Sequence, residues 1–109
     1  INIWKESMKF VNNVYLLTSE MPSEEKFGLI SQIQRCAVSI PSNIAEGSGR
    51  STEKDFLNFL RISLSSSYEL ETQLILVQQV FNIDTELLIV DLQNIQNMIG
   101  GFIRMLKTN

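Results

Sequence analysis

Asn43, Glu46 and Arg50 stand at intervals of three and four residues, and Arg50, Lys54 and Arg61 continue at intervals of four and seven. On a helix such intervals bring side chains to one face. For the first set the chemistry on offer is hydrogen bonding by the Asn43 amide and charge pairing of Glu46 with Arg50. For the second it is phosphate binding, with Arg35 coming near from an antiparallel neighbour. Local pairing of these basic residues with Glu46, Glu53 or a neighbouring subunit is an equal alternative. Acid–base catalysis by Glu46 has little to support it. A lone carboxylate needs a metal, a histidine or a second carboxylate nearby, and the chain has no histidine and one cysteine. The same counts remove the usual zinc ligand sets, a disulfide framework and every nucleophile–histidine pair. No catalytic, cofactor-binding or metal-ligating residue is assigned, and no enzyme is expected. Cys36, beside Arg35 at a helical position next to apolar residues, reads as a buried or half-buried thiol in a reducing, cytoplasmic setting. Trp4 and Tyr68 have rings able to stack on bases, although aromatics at helical spacing more often belong to a core or interface.

The elements that must position these residues follow from four segments with apolar residues at alternating three- and four-residue steps. The first stripe is Trp4, Met8, Val11, Tyr15 and Thr18, with Ile3, Phe10, Val14 and Leu17 beside it. The second runs Ile30, Ile33, Ala37, Ile40, Ile44. The third is Phe56, Leu60, Ser63, Ser67, Leu70, Leu74, Val77 and Phe81, and the fourth Leu88, Leu92, Ile95, Ile99, Phe102 and Leu106. Pro41 falls inside the second segment, where it removes a backbone donor to the Ala37 carbonyl at a cost of roughly 3 kcal/mol. The second helix is therefore expected to be kinked or interrupted near Pro41, with Asn43 satisfying backbone groups freed there. Serines at 63, 65, 66 and 67 supply small side chains opposite that site. Ser23 is placed to cap the second helix, with Glu24 and Glu25 in its first turn. Gly47 and Gly49 suit left-handed angles at its end. Thr52 with Asp55, and Asp84 with an Ile83–Leu88 staple, mark the next two helix starts. Arg104 and Lys107 suit the negative end of the last helix. Short connections force antiparallel neighbours, so the expected fold is all-α, an up-down-up-down antiparallel four-helix bundle forming a single domain over residues 1–109.

The chain of 109 residues carries nine basic and twelve acidic side chains, a net charge of −3, so any polyanion surface must be local. Against that, 44% of residues are hydrophobic, and several helices carry more apolar residues than one core arc accommodates. The third has a second set, Phe59, Ile62, Ser66, Glu69, Gln73, Leu76 and Val80, widened by Leu57, Leu64 and Ile75. The first adds Phe10, Val14 and Leu17, and the fourth Ile89, Val90, Met98, Ile103 and Met105. A cyclic homo-oligomer would bury this excess. No run reaches the roughly 20 apolar residues of a membrane span, and the first residues show no signal-peptide pattern.

The sequence resembles the four-helix bundle proteins encoded in intervening sequences of bacterial 23S ribosomal RNA genes. The resemblance is carried by Trp4, Tyr15, Pro22-Ser23-Glu24-Glu25-Lys26-Phe27-Gly28-Leu29, Gln32, Ile33, Arg35, the string Ser39-Ile40-Pro41-Ser42-Asn43-Ile44-Ala45-Glu46-Gly47, then Arg50, Phe56, Leu60 and Glu69-Leu70-Glu71-Thr72-Gln73-Leu74. It implies a homopentameric ring with a central pore. It also implies similarity to the accessory variability protein of diversity-generating retroelements, a bundle that acts with a reverse transcriptase and nucleic acid. Leu64 stands where the family often has a basic residue, and Ser65 where it often has Gly. Two readings of function follow. The first is an oligomeric accessory module for RNA, DNA or a ribonucleoprotein, with Arg35, Arg50, Lys54 and Arg61 as its contacts and Pro41, Asn43, Glu46 and Gly47 as a structural motif. The second is a protein-binding adaptor or structural ring without nucleic-acid contact.

Overall fold

A computed structural model describes residues 1–108. Its helices are α1 (Asn2–Thr18), α2 (Leu29–Ser48), α3 (Glu53–Phe81) and α4 (Glu86–Lys107), with one 3₁₀ turn at Ser23–Glu25 between the first two. Successive helices pack side by side, α1 on α2, α2 on α3, α3 on α4, and α4 closes on α1. This is the antiparallel four-helix bundle that the periodicity requires, drawn out to 46 × 23 × 19 Å. None of its described helices is long and apolar enough to cross a membrane.

The α2 and α3 stripes form the middle of the core as spaced in the sequence. Ile33, Ala37, Ile40 and Ile44 face Leu60, Leu70, Leu74 and Val77, all fully enclosed. α1 turns differently from the expectation. Its core face is Ile3, Phe10, Val14 and Leu17, while Met8 and Tyr15 are exposed and Trp4 and Val11 half-buried. Ser7 explains why: it sits within the core stripe, fully buried, because its hydroxyl donates to the Ile3 carbonyl at 2.9 Å and so needs no water. Ile89 on α4 is likewise core, not surplus.

Helix ends correct several expectations. Ser23 does not cap α2 but begins the 3₁₀ turn, and α2 starts only after Gly28. Gly47 and Gly49 do not adopt left-handed angles. Gly47 lies within α2, and Gly49 follows it in the right-handed region. α2 is not interrupted at Pro41 but runs through it to Ser48. Thr52 does cap α3, accepting from the Asp55 N–H at 3.1 Å. Asp84 accepts from the Glu86 N–H at 3.0 Å in the first turn of α4, and Ile83 and Leu88 pack on the core beside it. α3 ends at Asn82, the only non-glycine residue with positive φ (57°) among those described, a role its amide side chain tolerates well. Thr85 then ties the turn to α3: its buried hydroxyl donates to the Leu74 carbonyl at 2.9 Å.

Candidate functional site

The Pro41–Gly47 string is held against the first half of α3 by a ladder of small polar contacts. The Ser63 hydroxyl donates to the Ile40 carbonyl at 2.9 Å, in a fully buried position one residue before Pro41. Ser39 and Ser66 hydroxyls meet at 2.8 Å. Asn43 donates from Nδ2 to the Ser39 carbonyl at 2.8 Å and to its hydroxyl at 2.9 Å. The Asn43 amide thus serves the Ser39 group, not the Ala37 carbonyl from which Pro41 withdraws the helical donor. Gly47 completes the seam. A Cβ there would stand 2.8 Å from both Phe56 Cδ1 and Phe59 Cβ, so this residue is glycine for closeness, not for backbone angle.

Glu46 and Arg50 pair as their spacing predicts, Oε2 to Nη2 at 3.4 Å, and the Arg50 guanidinium also lies 4.8 Å from the centre of the Phe59 ring. Arg50 is in the turn before α3, so it is not on one helix face with Lys54 and Arg61. Lys54 and Arg61 are exposed, one above the other along the outer side of α3, and the exposed Tyr68 continues the line at the next seven-residue step. Among the described residues no carboxylate lies within 4.0 Å of Arg35, Lys54 or Arg61. The contacts Cys36–Glu69 and Ser39–Ser66 set Arg35 level with Glu69 and Leu70. That is about 13 Å along the axis from the level of Arg61. The structure therefore brings Glu46 to Arg50 and Lys54 to Arg61, and separates Arg35 from all of them.

Cys36 is buried, and its thiol donates to Glu69 Oε2. Burial, then the hydrogen bond to Glu69 and its negative charge, push the thiol from 9.0 up to about 11, outweighing a hydrogen bond with Gln73 and the charge of Arg35. This thiol is a poor nucleophile. Among the described residues no group of three or more His, Cys, Asp or Glu is placed to hold a metal ion.

Two surface features were not foreseen. Glu6, Lys9, Asn13, Asp91 and Asn94 rim a cleft of about 220 Å³ between α1 and α4. A larger groove of about 350 Å³ runs between α1 and α2, lined by Trp4, Met8, Val11, Val38, Pro41, Ser42 and Ala45, without a single charged group. The apolar stripe on α1 was visible in the sequence; its exposure was not, because an apolar stripe does not say which side of it faces the core.

Among solved structures, a protein of unknown function from the S23 ribosomal protein family of Bacteroides thetaiotaomicron superposes with a TM-score of 0.85 at 28% identity, covering 93% of this chain and 97% of its own. No curated protein matches the chain. The model of the 23S rRNA-intervening sequence protein family matches residues 1–106. With the Pro41 seam and all but the last residue of the four helices spanned by that match, the chain belongs to the 23S rRNA-intervening sequence protein family.

Proposed function

We propose that the protein is a non-enzymatic module that works as an assembled homopentameric ring in the cytoplasm, and that the ring is an accessory to RNA, DNA or a ribonucleoprotein. The observation that carries the reading is the apolar surface left outside the core: Met8, Tyr15 and Val38 around the α1–α2 groove, and Ile62, Leu76 and Val80 along α3, are all at least 40% exposed. Self-association removes such surface from water. The nucleic-acid contact is the line Lys54, Arg61, Tyr68, in which two cations without a carboxylate partner precede an exposed ring suited to stacking. Arg50, occupied by Glu46 and Phe59, contributes less, and Arg35 stands apart. Repetition around a ring multiplies a weak contact, and binding should fall steeply with salt as counterions are released.

The protein-adaptor reading is favoured by one observation, the uncharged lining of the α1–α2 groove. Native mass spectrometry and fluorescence anisotropy separate the possibilities. A pentamer that binds structured RNA or single-stranded DNA at low salt, and loses this binding in Lys54→Glu/Arg61→Glu with assembly intact, is the expected result. An oligomer that binds neither at tens of micromolar protein leaves the adaptor. A monomer at every concentration ends the ring, with or without nucleic acid, and leaves only a monomeric adaptor.

A further inference from the structure

We propose that the cleft between α1 and α4 is a binding site for a linear aliphatic diamine or triamine, held with one ammonium at Asp91, another at Glu6 and its methylene stem along the apolar floor between them. The floor is Phe10 and Ile95, only 2% and 4% exposed, continued by the half-buried Met98. The polar lining residues stand on the rim above it. α1 and α4 run in opposite directions, so Glu6 stands across from Met98 at one end of the cleft and Asn13 across from Asp91 at the other. Glu6 and Asn13 are seven residues apart in one helix, which sets the two carboxylates about 10 Å from each other along the bundle axis.

Size, charge, distance and the nature of the floor together fix the chemistry of the ligand. The cleft measures about 220 Å³, less than the roughly 300–1,000 Å³ of a drug-sized site, so the ligand is small. Two carboxylates against the single ammonium of Lys9 leave the rim negative, and among the described residues Asp91 has no cation within 4.0 Å. The ligand is therefore a cation. The Glu6 end already accepts an ammonium, that of Lys9 at 3.6 Å, in an exposed pair that a ligand displaces at little cost. A single metal ion does not fit, because carboxylates about 10 Å apart cannot reach one centre. The floor selects against a hydrated cation and for a hydrocarbon stem: methylenes gain by leaving water for Phe10 and Ile95, and the Met98 thioether adapts to stems of different length. Towards the Asp91 end, the amides of Asn13 and Asn94 offer carbonyl oxygens to the remaining ammonium protons. On the side of α4 turned to α3, by contrast, the amides of Gln93 and Gln96 are both engaged by Glu71.

The test is isothermal titration calorimetry of the full chain with cadaverine and spermidine, with butylamine, leucine and magnesium chloride as comparison probes and backbone amide NMR shifts to place the site. One diamine or triamine per chain is expected to bind, at least about tenfold more tightly than butylamine, shifting amides of α1 and α4 around the cleft. Asp91→Asn and Glu6→Gln should each weaken binding about tenfold. Lys9→Ala should strengthen it, since the ammonium that competes for Glu6 is gone. All three positions are on the rim, so helicity by circular dichroism should stay that of the parent, and the comparison of probes on the unaltered chain stands whatever the variants do. Lost binding in Lys9→Ala, or leucine bound as tightly as cadaverine, assigns the cleft to a zwitterion and overturns the diamine. Butylamine or magnesium matching cadaverine, an Asp91→Asn variant without effect, or shifts gathered elsewhere on the chain reduce the binding to loose counterion association and overturn it as well. So does the absence of binding by either amine at millimolar concentration.

Discussion

Cys36 keeps its proton because it is buried, and because it donates to Glu69 and ionising it would set a second negative charge beside that carboxylate. Its folded value of about 11 lies above the ordinary 9.0, so the folded chain holds this proton more tightly than the unfolded one. The resulting stabilisation is complete below about pH 9 and is lost as the pH rises to about 11. Urea denaturation between pH 8 and 11 should show the parent losing about 2 kcal/mol more than Cys36→Ala. Equal losses would mean that neither burial nor Glu69 raises the thiol in the folded chain. The sequence made Cys36 a buried thiol beside Arg35 but could not supply Glu69. A contact across a seam, 33 residues away, leaves no trace in local spacing. Gly47 shows a related limit. Turn geometry and tight packing both exclude a Cβ, and only the structure tells them apart.

At the scale of the element, α2 tolerates Pro41 because α3 opposes it with serines, which approach closely and carry their own donors. The motif residues should then differ sharply in what they contribute. Asn43→Ala removes two half-buried hydrogen bonds and should cost about 1–2 kcal/mol. Gly47→Ala must displace two phenylalanines and should cost about 1–3 kcal/mol. Glu46→Ala loses only a solvent-exposed pair and should cost less than about 0.5 kcal/mol. Thermal melts of the three variants check this order; a Glu46 effect as large as that of Asn43 would contradict it. The periodicity made the central core of α2 and α3 legible, from Ile33 to Ile44 and from Leu60 to Val77, while the stripe ends Ile30, Phe56 and Phe81 are only half-buried. It misplaced the α1 face because Ser7, a polar residue satisfied by its own backbone, interrupts the apolar pattern on the buried side. The α2 start was misjudged because a 3₁₀ turn uses the same opening residues as a longer helix.

For the molecule as a whole, the bundle followed from helix count, apolar spacing and short connections. The basic set did not hold together because seven-residue spacing aligns Lys54 with Arg61 only inside one helix, whereas Arg50 lies in the turn and Arg35 on a helix of opposite direction. That turn, residues 49–52, has a consequence for the order in which the chain acquires its structure. Closing so short a loop has a small entropic cost, and the α2–α3 seam joins it with directional bonds at Ile40, Ser39 and Cys36. α1 and α4 are instead brought together from far apart in the chain and leave a cleft between them. The α2–α3 hairpin should therefore be formed in the folding transition state while α1–α4 docking comes later. In stopped-flow kinetics at low protein concentration, Ser63→Ala should chiefly slow folding, and Ile95→Val, at the α1–α4 cleft, should chiefly speed unfolding. The reverse assignment would place the nucleus at the other seam. A chain that folds in this order holds the Pro41 seam closed before the cleft between α1 and α4 exists.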